Sequence, residues 1–119
     1  MVEAQFNYIT NADGISITIT AYSGNASSVS VPDSINGLLV TSIGTNAFSN
    51  NTFPTSITIP NSVTNIGDYA FYDCYGLTNI TMGDSITIIG ANAFGYSVNL
   101  TGVVIPNSVI YRHDPVQFA

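Results

Sequence analysis

The sequence predicts an α/β solenoid dominated by β-structure. Each coil is expected to run strand, corner, short second strand and short helical or 3-10 turn, with a β-hairpin capping the N-terminal end. Three observations predict this. Ile-Gly recurs at Ile43-Gly44, Ile66-Gly67 and Ile89-Gly90, and Ala-Phe at Ala47-Phe48, Ala70-Phe71 and Ala93-Phe94, with one shared 23-residue step. The apolar order within a unit, Leu77, Ile80, Met82, Ile86, Ile89, Ala93, Phe94, has equivalents in its neighbours. Ahead of the units, apolar residues alternate with polar ones around a turn signal. A fixed period of this length means stacked coils, each burying its apolar face against the next.

In chain order, Phe6, Tyr8, Ile15, Ile17 and Ile19 alternate with polar residues on either side of Asn11-Ala12-Asp13-Gly14. That is a hairpin signature. A solenoid needs its first coil covered, so residues 1–28 read as the cap and residues 29–109 as about 3.5 coils. The first unit, Pro32 to Pro60, is longer than the period by five, and the excess falls at 36–40, a Gly-containing loop. Ile57, Ile80 and Val103 share a column, as do Ile59, Met82 and Ile105, and the spacing of two marks inward-facing strand positions. Successive strands should lie parallel, ~4.8 Å apart. Pro60 and Pro106 end the strand because they lack an N–H, and Gly83 stands in their place in the middle unit. Asn61, Asp84 and Asn107 can satisfy the turn backbone with their side chains. Val63, Ile86 and Val109 lead into the second extended run. Gly44, Gly67 and Gly90 then read as corners needing a positive φ. The register is expected to fail after Val109, where Arg112 and His113 replace isoleucine and glycine. Residues 110–119 read as an irregular tail or a truncated repeat, with a cut end favoured, and the whole chain as one domain.

Composition narrows the function classes. The 119 residues are 45% hydrophobic, so the chain is not disordered by composition. Charged residues are 7%, and polarity comes instead from Asn, Ser and Thr, 13 of each. A neutral hydrogen-bonding surface suits an exported protein or a wet binding face. The net charge is −6 and Arg112 is the sole Lys or Arg, which excludes nucleic acid and anionic membranes as partners. No apolar run reaches the ~18 residues needed to span a bilayer. Met1 to Gln5 lack the basic start and apolar stretch of an export signal, so an exported protein would carry that signal upstream.

No catalytic set emerges. A hydrolase triad needs a histidine, and the single His113 sits in the tail beside Asp114 and Pro115. Cys74 has no disulfide partner and reads as a small buried hydrophobe after Phe71. Asp33, Asp68, Asp73 and Asp84 do not share one column, so no metal locus is expected. There is no phosphate loop or dinucleotide fingerprint. The chain is expected to be no enzyme and to use no cofactor.

The string Ile59-Pro60-Asn61-Ser62-Val63-Thr64-Asn65-Ile66-Gly67, followed by Ala70-Phe71, Cys74 and Leu77-Thr78-Asn79-Ile80, resembles the BspA-like class of leucine-rich repeats. So does the segment from Phe6 through Ser34-Ile35-Asn36-Gly37 to Ile43-Gly44. The resemblance covers roughly residues 6–109. It implies a right-handed leucine-rich-repeat solenoid of secreted or cell-surface proteins, associated with adhesion and protein binding. Asn51 and Ser97 occupy the cysteine column, a departure that weakens any role for Cys74.

Two constellations are candidates for binding a protein or glycan. The first is the outward face of the parallel sheet: Ser56 and Thr58, then Asn79 and Thr81, then Gly102 and Val104. The second is Tyr69, Tyr72, Tyr75 and Tyr96, beside the Ala-Phe turns. Tyrosine offers contact area at low entropy cost, although the reading the sequence favours is partial packing of these rings over the turn. Three or four coils make a sheet only ~15–20 Å long, so this stretch alone should bind weakly, as a monomer or as part of a longer array. The rivals are a spacer that presents other domains and an ice-binding surface built on the threonine columns Thr41/Thr64/Thr87 and Thr55/Thr78/Thr101.

Overall fold

The computed structural model describes residues 5–112, with side chains to residue 110. The readings that fall on His113 and the rest of the tail lie outside these residues. Eleven strands follow in order: β1 Phe6–Thr10, β2 Ser16–Tyr22, β3 Ser28–Ser30, β4 Ser34–Ile35, β5 Leu38–Ile43, β6 Ser56–Ile59, β7 Asn65–Ile66, β8 Asn79–Met82, β9 Ile88–Ile89, β10 Gly102–Val103 and β11 Tyr111–Arg112. They form two sheets. One runs β3-β6-β8-β10, all parallel, with Ser56 opposite Asn79 and Asn79 opposite Gly102. The other runs β1-β2-β5-β7-β9-β11, with β4 paired to β5. The 23-residue step is therefore a hydrogen-bond register. It continues through Arg112, which pairs with Ile89, so the backbone keeps its place beyond Val109 even though the sequence motif stops there.

At the N-terminal end, β1 and β2 pair antiparallel, with a register shift between Asn7 and Tyr8. Asp13 organises the turn: its Oδ1 accepts from the Ile15 and Ser16 amides at 2.9 and 3.0 Å. Those bonds, first the Ile15 amide and then the Ser16 hydroxyl, hold the Asp13 carboxyl below its ordinary pKa. β2 then joins the coils directly, parallel to β5. The expected loop at 36–40 is instead the two-residue tip of a second hairpin, Asn36-Gly37, and the first three residues of β5. Asn36 and Gly37 have φ of 53° and 82°, the left-handed pair of a type I′ turn, and β4 and β5 pair antiparallel around them.

Inward columns are buried as sets. Ile43, Ile66 and Ile89 are fully buried, as are Phe48, Phe71 and Phe94. The phenylalanine rings stack, Phe48 on Phe71 at 5.2 Å and Phe71 on Phe94 at 5.6 Å between centroids. Tyr22 continues the pile at 5.4 Å from Phe48, and Phe6 lies 5.0 Å from Tyr22. One aromatic column thus ties the cap to the coils.

Three further expectations are corrected. First, the Ala-Phe turns are not helical: no residue from 6 to 112 is in a helix, and the protein is an all-β solenoid rather than α/β over this range. The reason lies in the amides. In the turn at 68–73, Tyr69, Phe71 and Asp73 donate to Ala91, Ala93 and Gly95 of the next coil at 2.7–2.9 Å, while Ala70 and Tyr72 donate to Gly67 and Tyr69 of their own. A helix would keep all of these bonds within the coil. The alternation also puts two residues per turn in the left-handed region: Asn46 and Asn50, Tyr69 and Asp73, Asn92 and Tyr96, with φ of 52–61°.

Second, Gly44, Gly67 and Gly90 do not have positive φ. They are glycines because coils touch there. A Cβ on Gly67 would lie 2.8 Å from the Thr45 nitrogen and 2.9 Å from the Gly44 carbonyl carbon, and one on Gly90 2.7 Å from that of Gly67. Third, the turn side chain of Asn61 serves the neighbouring coil rather than its own, accepting from the Asp84 amide at 3.1 Å. Asp68 does the same for the Ala91 amide at 2.8 Å.

Candidate functional site

Each candidate residue stands where a ladder places it. On the four-stranded sheet, Thr58, Asn79 and Thr81 are exposed and Ser56 is half-buried, on paired strands with their side chains away from Ile57 and Ile80. Val104 follows β10 and is 81% exposed. Gly102 lets Asn79 lie over the strand, since a Cβ there would meet the Asn79 side chain. The resulting depression, about 400 Å³, also reaches Met82 and Val103. It carries no charged group and no aromatic ring.

The tyrosines form a second locus on the left-handed turns. The Tyr72 ring stands nearly perpendicular to Tyr69 and Tyr96, at 5.2 and 5.4 Å between centroids. Tyr75 joins Tyr72 and Tyr96 around a depression of about 370 Å³ that is completed by Asp73 and Val98. Tyr75 and Tyr96 are 60% and 64% exposed, too open to serve mainly as packing. Partial burial raises the pKa of the Tyr72 phenol, and the neighbouring Tyr96, Tyr69 and Asp73 add to the effect because their charges would repel a phenolate. No residue lines both this depression and the one on the sheet.

The left-handed positions single out two of these tyrosines. Residues 46, 69 and 92 form one column and 50, 73 and 96 another; four of the six are Asn or Asp. Asn and Asp tolerate left-handed φ because a short polar side chain can bond locally, whereas a bulky residue there is strained. Tyr69 and Tyr96 hold φ of 58° and 54° regardless. Sequence reasoning missed Asp73, Gly95 and Val98 as members of this locus. The available signal was the period itself: Gly95 lies one full period after Tyr72, and a Cβ there would sit 3.0 Å from the Tyr72 ring.

Cys74 belongs to neither locus. It is buried, and its thiol donates to the Phe48 carbonyl at 3.1 Å. One coil on, Ser97 donates to the Phe71 carbonyl at 2.6 Å and accepts from the Cys74 amide at 3.1 Å. Asn51 donates to the Tyr22 carbonyl at 3.2 Å. The column is a series of donors to the preceding coil, which explains why three residue types share it. Burial pushes the Cys74 thiol up to about 12. A thiol reagent should therefore label Cys74 only at the rate of unfolding; rapid labelling of the native protein, timed against a denatured control, would contradict this. Because the folded pKa is raised, the stabilisation from the neutral thiol is full below pH 9 and is lost as pH climbs from 9 towards about 12.

The threonine hydroxyls are likewise engaged within the ladders. Thr64 and Thr87 donate to the carbonyls of Thr41 and Thr64 at 3.3 and 3.2 Å, and Thr78 to that of Thr55 at 3.1 Å. Among the described residues no three His, Cys, Asp or Glu side chains gather as a metal site, and no helix is long and apolar enough to cross a membrane.

Comparison with known proteins places this architecture. The repeat pattern described as a BspA type leucine-rich repeat region, in six copies, matches residues 5–114. A leucine-rich-repeat protein of T. pallidum is 34% identical with a TM-score of 0.89, over 94% of this chain and 53% of its own. The chain thus spans about half the length of that protein. A leucine-rich-repeat protein of Bacteroides capillosus is 28% identical with a TM-score of 0.85, over 93% and 85% of the two chains. A leucine-rich cell surface protein of Faecalibacterium prausnitzii is 34% identical with a TM-score of 0.82, over 91% and 31%. No curated protein sequence matches.

Proposed function

The chain belongs to the BspA-type leucine-rich-repeat family, whose repeat domains are non-catalytic and adhesion-type, and on that premise we propose that it contacts a protein partner at a bacterial cell surface through its tyrosine-bearing turns. The similarity to a leucine-rich cell surface protein of Faecalibacterium prausnitzii supports the location. One observation carries the choice of surface. Tyr69 and Tyr96 occupy left-handed positions where the same columns elsewhere use Asn or Asp. A bulky side chain that breaks a local backbone rule and stays exposed is gaining something other than stability. Aromatic anchors of this kind dominate binding energy at protein interfaces. The sheet face offers only small neutral groups.

The described residues span 35 × 32 × 19 Å. A stable complex buries ~800 Å² per partner, so a single copy of this locus binds weakly and gains strength from repetition along an array.

Tyr96→Asn relieves left-handed strain of about 1 kcal/mol and loses a ring contact of about the same worth, so the unfolding midpoint should hardly move. Binding of the Tyr69→Asn/Tyr96→Asn protein to a panel of purified extracellular-matrix proteins should fall at least about tenfold, since these are the anchor rings, whereas binding to a glycan array alone would overturn the protein reading. Asn79→Lys/Thr81→Lys should leave binding intact. Loss of binding only in the lysine variant would move the site to the sheet.

A further inference from the structure

We propose that the depression among Tyr72, Asp73, Tyr75, Tyr96 and Val98 receives the guanidinium group of an arginine on the partner protein. This deepens the reading of the tyrosine turns as the contact surface and rests on it. The depression is built rather than incidental. Gly95 leaves the room that the Tyr72 ring fills, since a Cβ there would press on ring carbons at 3.0 and 3.1 Å. The ring is then held edge-to-face against Tyr69 and Tyr96. Asp73 and Tyr96 are one coil apart in the same left-handed column, the Asp73 amide donates to the Gly95 carbonyl at 2.7 Å, and both residues line the depression. Asn99 holds the Tyr75 carbonyl at 2.7 Å on the other flank.

These components match one chemical class. Ring faces carry negative potential and attract cations, and a planar guanidinium can stack on tyrosine while also bonding a carboxylate. Val98, 49% exposed, offers an apolar wall for the methylene stem of the side chain. The charge of the whole molecule points the same way. The chain has seven carboxylates, no lysine and one arginine, Arg112, for a net charge of −6. Its field draws basic partners and repels acidic ones. A neutral sugar would find the rings but would make no use of the carboxylate.

The test compares acetyl-Gly-Arg-Gly-amide with its citrulline twin, which keeps the shape and loses the charge. Maltotetraose serves as a neutral sugar. Each is titrated into the full chain while the tyrosine-ring NMR signals are followed. The arginine peptide should move the Tyr72, Tyr75 and Tyr96 signals saturably, with citrulline at least about fivefold weaker. Asp73→Asn should weaken the arginine peptide by a similar factor. That variant keeps its backbone, because Asn50 already occupies the same column at φ 61°. Equal binding of the two peptides, an unaffected Asp73→Asn, or ring shifts with maltotetraose alone would overturn the arginine assignment and leave the tyrosine surface standing. No ring shift with any probe up to about 10 mM would overturn the arginine assignment, and the tyrosine surface would then be judged by the matrix-protein and glycan panel.

Discussion

Phe71→Ala is expected to lower stability by about 3–5 kcal/mol, among the largest losses of any single truncation of the described residues. The ring is fully buried and has an aromatic neighbour on each side, Phe48 at 5.2 Å and Phe94 at 5.6 Å, with interplanar angles of 19° and 6°. Truncation therefore opens a cavity at two coil interfaces at once. In a stack whose stability is the sum of coils and nearest-neighbour interfaces, losing two interfaces in the middle also divides the array. Urea unfolding followed by circular dichroism measures the loss. A midpoint close to that of the parent would show that the column is not a core. A shallower, two-phase curve would mark the division of the stack.

Gly67→Val should rank second, at about 3 kcal/mol or more, because the new side chain meets backbone and has nowhere to go. The nearest atoms to a Cβ at Gly67 are the Thr45 nitrogen at 2.8 Å, the Gly44 carbonyl carbon at 2.9 Å and the Ile43 carbonyl oxygen at 3.2 Å. The Gly67 amide itself donates to that Ile43 oxygen at 2.8 Å. Pushing the coils apart would therefore cost ladder bonds as well as packing. The same unfolding experiment tests it. A valine variant as stable as the parent would show that the neighbouring coil yields, which a stack this close should not do.

The sequence made the stacking plain because stacking repeats. Ile66, Phe71 and Ile80 are read correctly from spacing alone, since each has partners one period away that need the same environment. What the spacing could not show was the path between those residues. Ala70-Phe71 looks like the start of a helical turn, yet Tyr69, Phe71 and Asp73 send their amides to the next coil. That exchange is invisible when one unit is read alone. Gly67 was recognisable as special, but its reason lies in Gly44 and Thr45 across the interface and not in its own φ. Asn36-Gly37 is a local signal of its own: a two-residue left-handed turn between apolar runs is a hairpin even within a repeat. At the tyrosine locus the rings were legible as a group. Asp73 was not, because nothing in the spacing of the carboxylates places one beside an aromatic ring.

The Asn36-Gly37 hairpin has a consequence for engineering. It lengthens one unit, yet the strand before it, β3, still meets β6 in parallel, and the strand after it, β5, meets β7 at the common 23-residue step. Ile35 and Val63, at equivalent places, are both buried, so both columns survive an insertion whose last residues, Leu39 and Val40, pair with β2. The matching corners, between Val63 and Thr64 and between Ile86 and Thr87, are thus natural splice points. A foreign hairpin carried there would be displayed at a fixed spacing along the solenoid, which makes the scaffold a candidate ruler for presenting peptides in regular array.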